Sequence, residues 1–225
     1  VYYTLEHAVR GIAEACLVFN TPVVSGNVSL NNETAGRPVY PTPVIGMLGM
    51  LDDVSKALRA RFEGPGLEVY LLGAGIDASV DSLAGSEYLE TIHGRVAGLP
   101  RVNLEAERRL HQAMLRAHGE GLLRSAHDCS DGGLVVALAE CSILGDQGFE
   151  GSGALPGRLD VALFGEAQGR IVVSVAPESA QRLEAIAAET GVAATRLGAT
   201  VPGDRFAFGP ATSSITALRE AYESL

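Results

Sequence analysis

Residues 127–133, His-Asp-Cys-Ser-Asp-Gly-Gly, lie between a stretch of strand character, Leu122 to Ala126, and an apolar helical run, Leu134 to Ser142. Two adjacent glycines at such a junction let the backbone turn sharply and come close to a ligand, so this part of the chain must fold as a strand, a turn and a helix. The first amides of the coming helix lack intrahelical acceptors, and its positive dipole end attracts phosphate oxygens. A carboxylate beside bound phosphates would repel them unless a divalent cation lay between, so Asp128 reads as a ligand to Mg²⁺. Asp128 and Ser130 point the same way in an extended approach to the helix, which lets Ser130 hydrogen-bond a nucleotide while Asp128 holds the metal. The plainer alternative makes Ser130 or Asp131 an N-cap and nothing more.

A second polar cluster follows Thr21-Pro22-Val23-Val24, where apolar residues give way to Ser25-Gly26-Asn27-Val28-Ser29-Leu30-Asn31-Asn32-Glu33-Thr34. Asn27 offers a neutral carbonyl oxygen suited to a hard cation, Gly26 permits close backbone approach, and Ser29 can donate to a phosphate or a substrate carbonyl. An Asx-turn after a strand accounts for the same residues without any ligand.

Composition narrows the classes. With 47% hydrophobic and 20% charged residues over 225 positions, the chain has enough apolar material for one large domain or two small ones. A formal net charge of -10 and the lack of any basic run argue against nucleic acid as a partner. No apolar run approaches membrane-spanning length. Cys16, Cys129 and Cys141 are odd in number and lack paired metal spacing, which favours free thiols in a reducing compartment, the cytoplasm. An anionic protein that binds anionic nucleotides must do so through Mg²⁺ and local dipoles, not through its overall field.

Along the chain, patterning predicts a helix over Thr4 to Phe19, strands over Val23 to Leu30 and Thr42 to Leu51, and then the breakers Gly64-Pro65-Gly66. A boundary near Phe62 separates these pieces from a second domain. There the pattern gives a strand over Leu67 to Leu72, a short helix around Gly85 to Ile92, a longer helix over Asn103 to His118 and the strand and helix around the glycine pair. Strands at Arg170 to Val175 and Ala193 to Val201 alternate with helices at Pro177 to Glu189 and Ser213 to Ser224. This alternation points to helices packed on a sheet. Asn103 reads as an N-cap, with Glu105 and Glu107 in the first turns and Gly119 as the stop.

Taken together, Gly26-Asn27-Val28-Ser29-Leu30 with Asn32-Glu33-Thr34, Tyr40-Pro41-Thr42-Pro43-Val44-Ile45-Gly46, Gly85-Ser86-Glu87-Tyr88-Leu89, His127-Asp128 through Gly133-Leu134, and Leu163-Phe164-Gly165-Glu166 closely resemble phosphoribosylformylglycinamidine synthase. Their order and spacing match the second half of its synthetase subunit over essentially the whole chain. The resemblance implies an α/β (α+β) fold, an AIR synthase-like (PurM-type) two-domain module. Residues 1–62 would be the C-terminal part of an ATP-binding N-terminal domain, and 63–225 the C-terminal domain. It also implies a longer parent built by internal duplication, of which this chain, starting at Val1 directly in an amphipathic run, would be the incomplete second module. Aminoimidazole ribonucleotide synthetase and selenophosphate synthetase share the fold but not this combination of blocks.

The implied reaction is ATP-dependent amidation of formylglycinamide ribonucleotide to formylglycinamidine ribonucleotide, with release of ADP and phosphate. The amide oxygen would attack the γ-phosphoryl, and the ammonia that displaces the phosphate would come from a glutaminase subunit; a small accessory subunit completes the implied complex. Carried over residue by residue, Gly26 and Ser130 would contact ATP, Ser29 the substrate, and Asn27 and Asp128 would ligate Mg²⁺. The larger family members place an acidic ligand where this chain has Val23, and an aromatic is common where it has Asn31. No general base is assigned, because the family's catalytic histidine lies in the other half, and the fragment alone is expected to be inactive.

Other residues read as structural. Gly85-Ser86-Glu87-Tyr88 fits a capped helix start. The resemblance implies that the region of the first module matching Leu163-Phe164-Gly165-Glu166 contacts the ribonucleotide, but it does not carry that contact over to Glu166 and Arg170. Cys129 beside His127 suggests a thiol nucleophile, but adjacent residues in one turn seldom reach the required geometry, and the thiol fits a small buried apolar group better. Two functional classes stay open: a half that completes the synthetase active site, and a structural half that holds nucleotide, or none, to brace its catalytic counterpart; a third option, another ATP-dependent enzyme of the same PurM-type superfamily, is opposed by the Gly85-Ser86-Glu87-Tyr88 block.

Overall fold

The structure, a computed structural model, describes residues 2–76, 79–151 and 154–224. It divides into two compact units, Val1–Lys56 and Ala57–Leu225. In the first, helix α1 covers Tyr2–Phe19, in line with the run expected from Thr4, and β1 (Glu33–Thr34) pairs antiparallel with β2 (Arg37–Pro38) in a minimal hairpin. The strands expected over Val23–Leu30 and Thr42–Leu51 do not form. A strand exists only through ladder bonds to a neighbour, and apolar patterning along one segment supplies no neighbour. Val24, Val44, Leu48 and Met50 accordingly lie exposed on irregular chain.

The second unit is built on one seven-stranded sheet. Its strands are β3 (Glu68–Gly73), β4 (Leu123–Asp128), β5 (Gly148–Gly151), β6 (Arg170–Val175), β7 (Ala193–Val201), β8 (Arg205–Phe208) and β9 (Ala211–Ser214), in the spatial order β4-β6-β3-β7-β5-β8-β9. All pairings are antiparallel except β5 with β8. The helices are α2 (Glu87–His93), α3 (Leu104–Gly119), α4 (Gly133–Gly145), α5 (Leu159–Phe164), α6 (Ala180–Thr190) and α7 (Ile215–Glu223).

Successive side chains of a strand point to opposite faces, and β3 uses both. Val69 and Leu71 enter a core with Leu134 and Leu138 of α4, Phe149, Val172, Phe206 and Phe208. Tyr70 and Leu72 enter another with Leu110 of α3, Leu183 and Ile186 of α6, Val173 and Val175. The sheet is thus covered by helices on both faces. The Tyr70 hydroxyl lies between two carboxylates, 3.0 Å from Glu68 Oε2 and 2.9 Å from Glu184 Oε1, and donates toward them. Burial and these acceptors raise its pKa and keep the phenol neutral.

Local signals hold where packing supports them. Asn103 caps α3 through its Oδ1, which accepts from the Ala106 amide at 3.1 Å, and Ser86 caps α2, accepting from the Leu89 amide at 3.3 Å. Gly119 stays inside α3, which ends with Glu120 as its cap residue. Helix α4 is apolar over most of its surface, and its buried residues include Leu134, Val135, Leu138 and Cys141. Its C-terminus ends at Asp146 in the left-handed region, φ +50°, where Arg219 of α7 donates to the Ile143 carbonyl at 2.9 Å and to Asp146 Oδ1 at 2.8 Å. No helix among the described residues is long and apolar enough to cross a membrane.

Two tests follow from this packing. Gly198 of β7 passes so close to β5 that a Cβ would collide with the Glu150 carbonyl oxygen and the Gly151 backbone. Gly198→Ala should therefore lower stability by about 1–3 kcal/mol in chemical denaturation; an unchanged midpoint would remove the close approach as a constraint. Cys129 and Cys141 are buried. Desolvation pushes the Cys129 thiol up to about 11, against the pull of nearby Arg170, and lifts Cys141 higher still. Native protein exposed to iodoacetamide near pH ~7 should be modified at half-buried Cys16 alone, with the other two reacting after unfolding. Alkylation of Cys129 in the folded state would contradict this.

Candidate functional site

Strand β4 lies at the edge of the sheet, paired among the described residues with β6 alone, and ends at Asp128. The next amide, Cys129 N–H, donates to the Arg170 carbonyl at 3.0 Å, so the turn leaves the sheet from a fixed point. The Ser130 hydroxyl then turns back to donate to Asp128 Oδ2, and the Gly133 amide donates to the Ser130 carbonyl at 3.0 Å. Asp128 and Ser130 are therefore together, both exposed, as the spacing predicted. Behind them, the half-buried ring of His127 places Nδ1 2.7 Å from the Asp128 carbonyl and Nε2 3.2 Å from Glu140 Oε2.

The plainer reading of this turn fails: neither Ser130 nor Asp131 caps α4. The cap position is Gly132, φ +77°, with no side-chain cap bond, and Gly133 follows at φ +71°. A Cβ on Gly132 would meet Val136 Cγ2 at 2.6 Å, and one on Gly133 would meet the Gly165 carbonyl oxygen at 2.5 Å, so both positions require glycine on two counts. At the entry to the helix the Gly132 amide is already taken, donating to Glu166 Oε1 at 2.8 Å.

Sequence reasoning set Glu166 and Arg170 aside, and the structure puts both against the turn. Glu166 Oε1 also accepts from the Glu87 amide at 2.9 Å, and the Glu166 amide donates to the Ser82 carbonyl at 2.7 Å. Arg170, only 2% exposed, donates to the carbonyls of Gly165 and Ala167 (3.2 Å for the latter), and its Nη1 has no partner among the described residues. Phe164 stacks on Tyr88, ring centroids 4.9 Å apart. The available signal was a Glu and an Arg spaced around glycines just after an apolar helix. Nothing in that spacing shows that they reach a turn 34 residues upstream.

Gly26, Asn27 and Ser29 lie in the first unit on exposed irregular chain, where a Cβ on Gly26 would meet nothing within 4 Å. Among the described residues no three His, Cys, Asp or Glu side chains gather into a metal cage. Asp128 in the second unit and Asn27 in the first each carry an oxygen of the hard kind that Mg²⁺ takes. That ion keeps several waters and substrate oxygens and needs only one or two protein ligands, so a sparse donor set fits it. With its thiol buried and held protonated, Cys129 is unsuited to act as a nucleophile.

Residues 64–209 match the family described as AIR synthase related protein, C-terminal domain, and residues 2–51 match its N-terminal domain. The chain is 46% identical over 214 residues, 93% of its length, to phosphoribosylformylglycinamidine synthase subunit PurL of Thermomicrobium roseum, and 46% identical over 215 residues to that of an Anaeromyxobacter species. It spans 28% and 27% of those two relatives. Among solved structures, Thermotoga maritima PurL complexed with FGAR shares the fold at TM-score 0.63 and 21% identity over 74% of this chain and 30% of that one. The same protein complexed with ATP aligns at TM-score 0.57 and 18% identity, over 74% of this chain and 28% of that one. A glycine-paired turn on a helix-covered sheet and these matches lead to one assignment: the chain belongs to the AIR synthase related protein family, with its C-terminal domain over residues 64–209.

Proposed function

We propose that this chain is the second-half module of an ATP-dependent phosphoribosylformylglycinamidine synthase, a ligase of purine biosynthesis acting in the cytoplasm. The observation that carries the reading is the 46% identity to a PurL subunit over 93% of the chain. In this reading residues 1–62 belong to the N-terminal, ATP-binding domain and 63–225 to the C-terminal domain. The upstream half of the same polypeptide, a glutaminase subunit and a small accessory subunit are its partners.

The substrate is formylglycinamide ribonucleotide, and ATP and glutamine-derived ammonia are consumed with it. Mg²⁺ supplies charge neutralisation for the polyphosphate when bound. Asn27 offers its amide oxygen as a ligand to Mg²⁺ and Asp128, in the other unit, its carboxylate as one, while Gly26 and the Ser130 hydroxyl contact the nucleotide and Ser29 orients the substrate amide. Phosphoryl transfer needs little covalent help from protein, so holding these groups in place is the chain's main contribution. The hydrogen bond from Ser130 to Asp128 presets the carboxylate before any ligand arrives.

Separate Asn27→Ala and Ser29→Ala substitutions in the complete enzyme test this reading against the bracing alternative. A catalytic half loses about 10²-fold or more in kcat/KM at unchanged stability, the scale of one lost polar contact to a transition state. A brace that keeps its nucleotide at about 100 times the dissociation constant draws roughly 2.7 kcal/mol from it. In that case the variants melt earlier and turn over normally, and the proposal falls.

A further inference from the structure

The start of α4 has an unusual arrangement. Its cap residue is a glycine in the left-handed region, which has no side chain to satisfy the first amides. A distant acceptor reaches the cap residue's own amide: Glu166, 34 residues on, takes the Gly132 N–H on its Oε1 at 2.8 Å. The same oxygen takes the Glu87 amide at 2.9 Å, so one carboxylate ties the first turn of α2 to the entry of α4. A negative group at this point also complements the α4 dipole.

The loop that carries Glu166 is itself held on both sides. The Arg170 guanidinium donates to the Gly165 and Ala167 carbonyls, which flank Glu166 in the chain. The Glu166 amide is fixed to the Ser82 carbonyl at 2.7 Å. Gly133 packs so tightly on Phe164 and Gly165 that a Cβ there would lie 2.5 Å from the Gly165 oxygen. The Arg170 carbonyl meanwhile anchors the Cys129 amide at 3.0 Å. A single buried arginine thus fixes the near side of the 128–133 turn through its backbone and the far side through the Glu166 loop. Among the described residues the guanidinium meets backbone carbonyls and no carboxylate; burying it is costly, and here it ties the turn to the sheet.

We infer that Glu166 is a positioning residue: by accepting from the Gly132 and Glu87 amides with one oxygen, it sets the conformation in which Asp128 and Ser130 are presented to the metal-bound nucleotide. The inference rests on the reading of that turn given under Proposed function. Since Glu166 already occupies the helix entry, the polyphosphate is held at this turn through Asp128 and Ser130, not through the Gly132 amide.

Variants of the complete enzyme at Glu166 and Asp128 decide the matter, with binding of Mg²⁺-ADP by calorimetry and amide hydrogen exchange of the 128–133 segment measured alongside kinetics. Glu166→Ala should weaken Mg²⁺-ADP about 10-fold, the scale of a lost outer-shell partner. It should also raise KM for ATP more than it lowers kcat, and speed exchange across 128–133 in nucleotide-free protein. Glu166→Gln keeps an oxygen acceptor and should stay within about twofold of the parent on all three readouts. If Glu166→Ala does not fold, Glu166→Asp, too short to reach both amides, carries the same expectation. Asp128→Asn separates the two levels. If it weakens Mg²⁺-ADP while Glu166→Ala does not, the positioning role alone is overturned. If it leaves Mg²⁺-ADP binding unchanged, the nucleotide reading of the turn is overturned and the positioning role with it. A Glu166→Gln variant as impaired as Glu166→Ala would also overturn the role, since charge and not the amide bridge would then be what matters.

Discussion

Burial of β3 on both faces is the constraint on which the second unit depends. Val69 and Leu71 on one side and Tyr70 and Leu72 on the other are all at most 2% exposed, so neither helical layer can be absent. With β6 and β7 saturating its ladders, the strand has no free backbone edge. Each fully buried aliphatic side chain contributes about 1.5–3 kcal/mol, and here the contributions are shared between two cores on one strand. Both layers therefore depend on the same strand. The edge strand β4, carried by β6, inherits its position from this centre, and with it the turn at Asp128.

Arg170 connects that frame to the chemistry. It opens β6, where it pairs with Gly73 of β3, and its side chain bends back beneath the loop at Gly165. A charged group in a sheet core is expensive unless its donors are used, and two of the three guanidinium nitrogens meet backbone carbonyls. The outcome is a rigid join between the sheet and three loops, those after β4, before α2 and after α5. Close glycine contacts at Gly133 and Gly165 leave these loops no slack.

How much of this was legible in the sequence depends on range. Residues 170–175 and 193–201 read as strands from their apolar, β-branched character and form with those bounds. Asn103 and Ser86 were legible as caps because capping is decided within four residues. The short strands β5, β8 and β9 were not, since Gly148–Gly151 and Ala211–Ser214 have weak β propensity and owe their state to neighbours far along the chain. The same limit explains Val23–Leu30, where a good pattern finds no ladder. At the site, the pairing of Asp128 with Ser130 was a local geometric matter and could be read. The reach of Glu166 to Gly132 was not, because it depends on the packing of α5 against α4.

Helix α4 is finished at both ends by residues that come later in the chain, Glu166 at its first turn and Arg219 at its last. During synthesis the segment emerges from the ribosome well before either group exists. The turn at Asp146 closes its C-terminus locally, the Asp146 amide reaching the carbonyls of Ser142 and Ile143. The cover that α7 gives its apolar surface, and the Arg219 bond to the Ile143 carbonyl, come only with the last of the described helices. Dependence on a chaperone at that stage is the expected price of closing a local structure with distant residues.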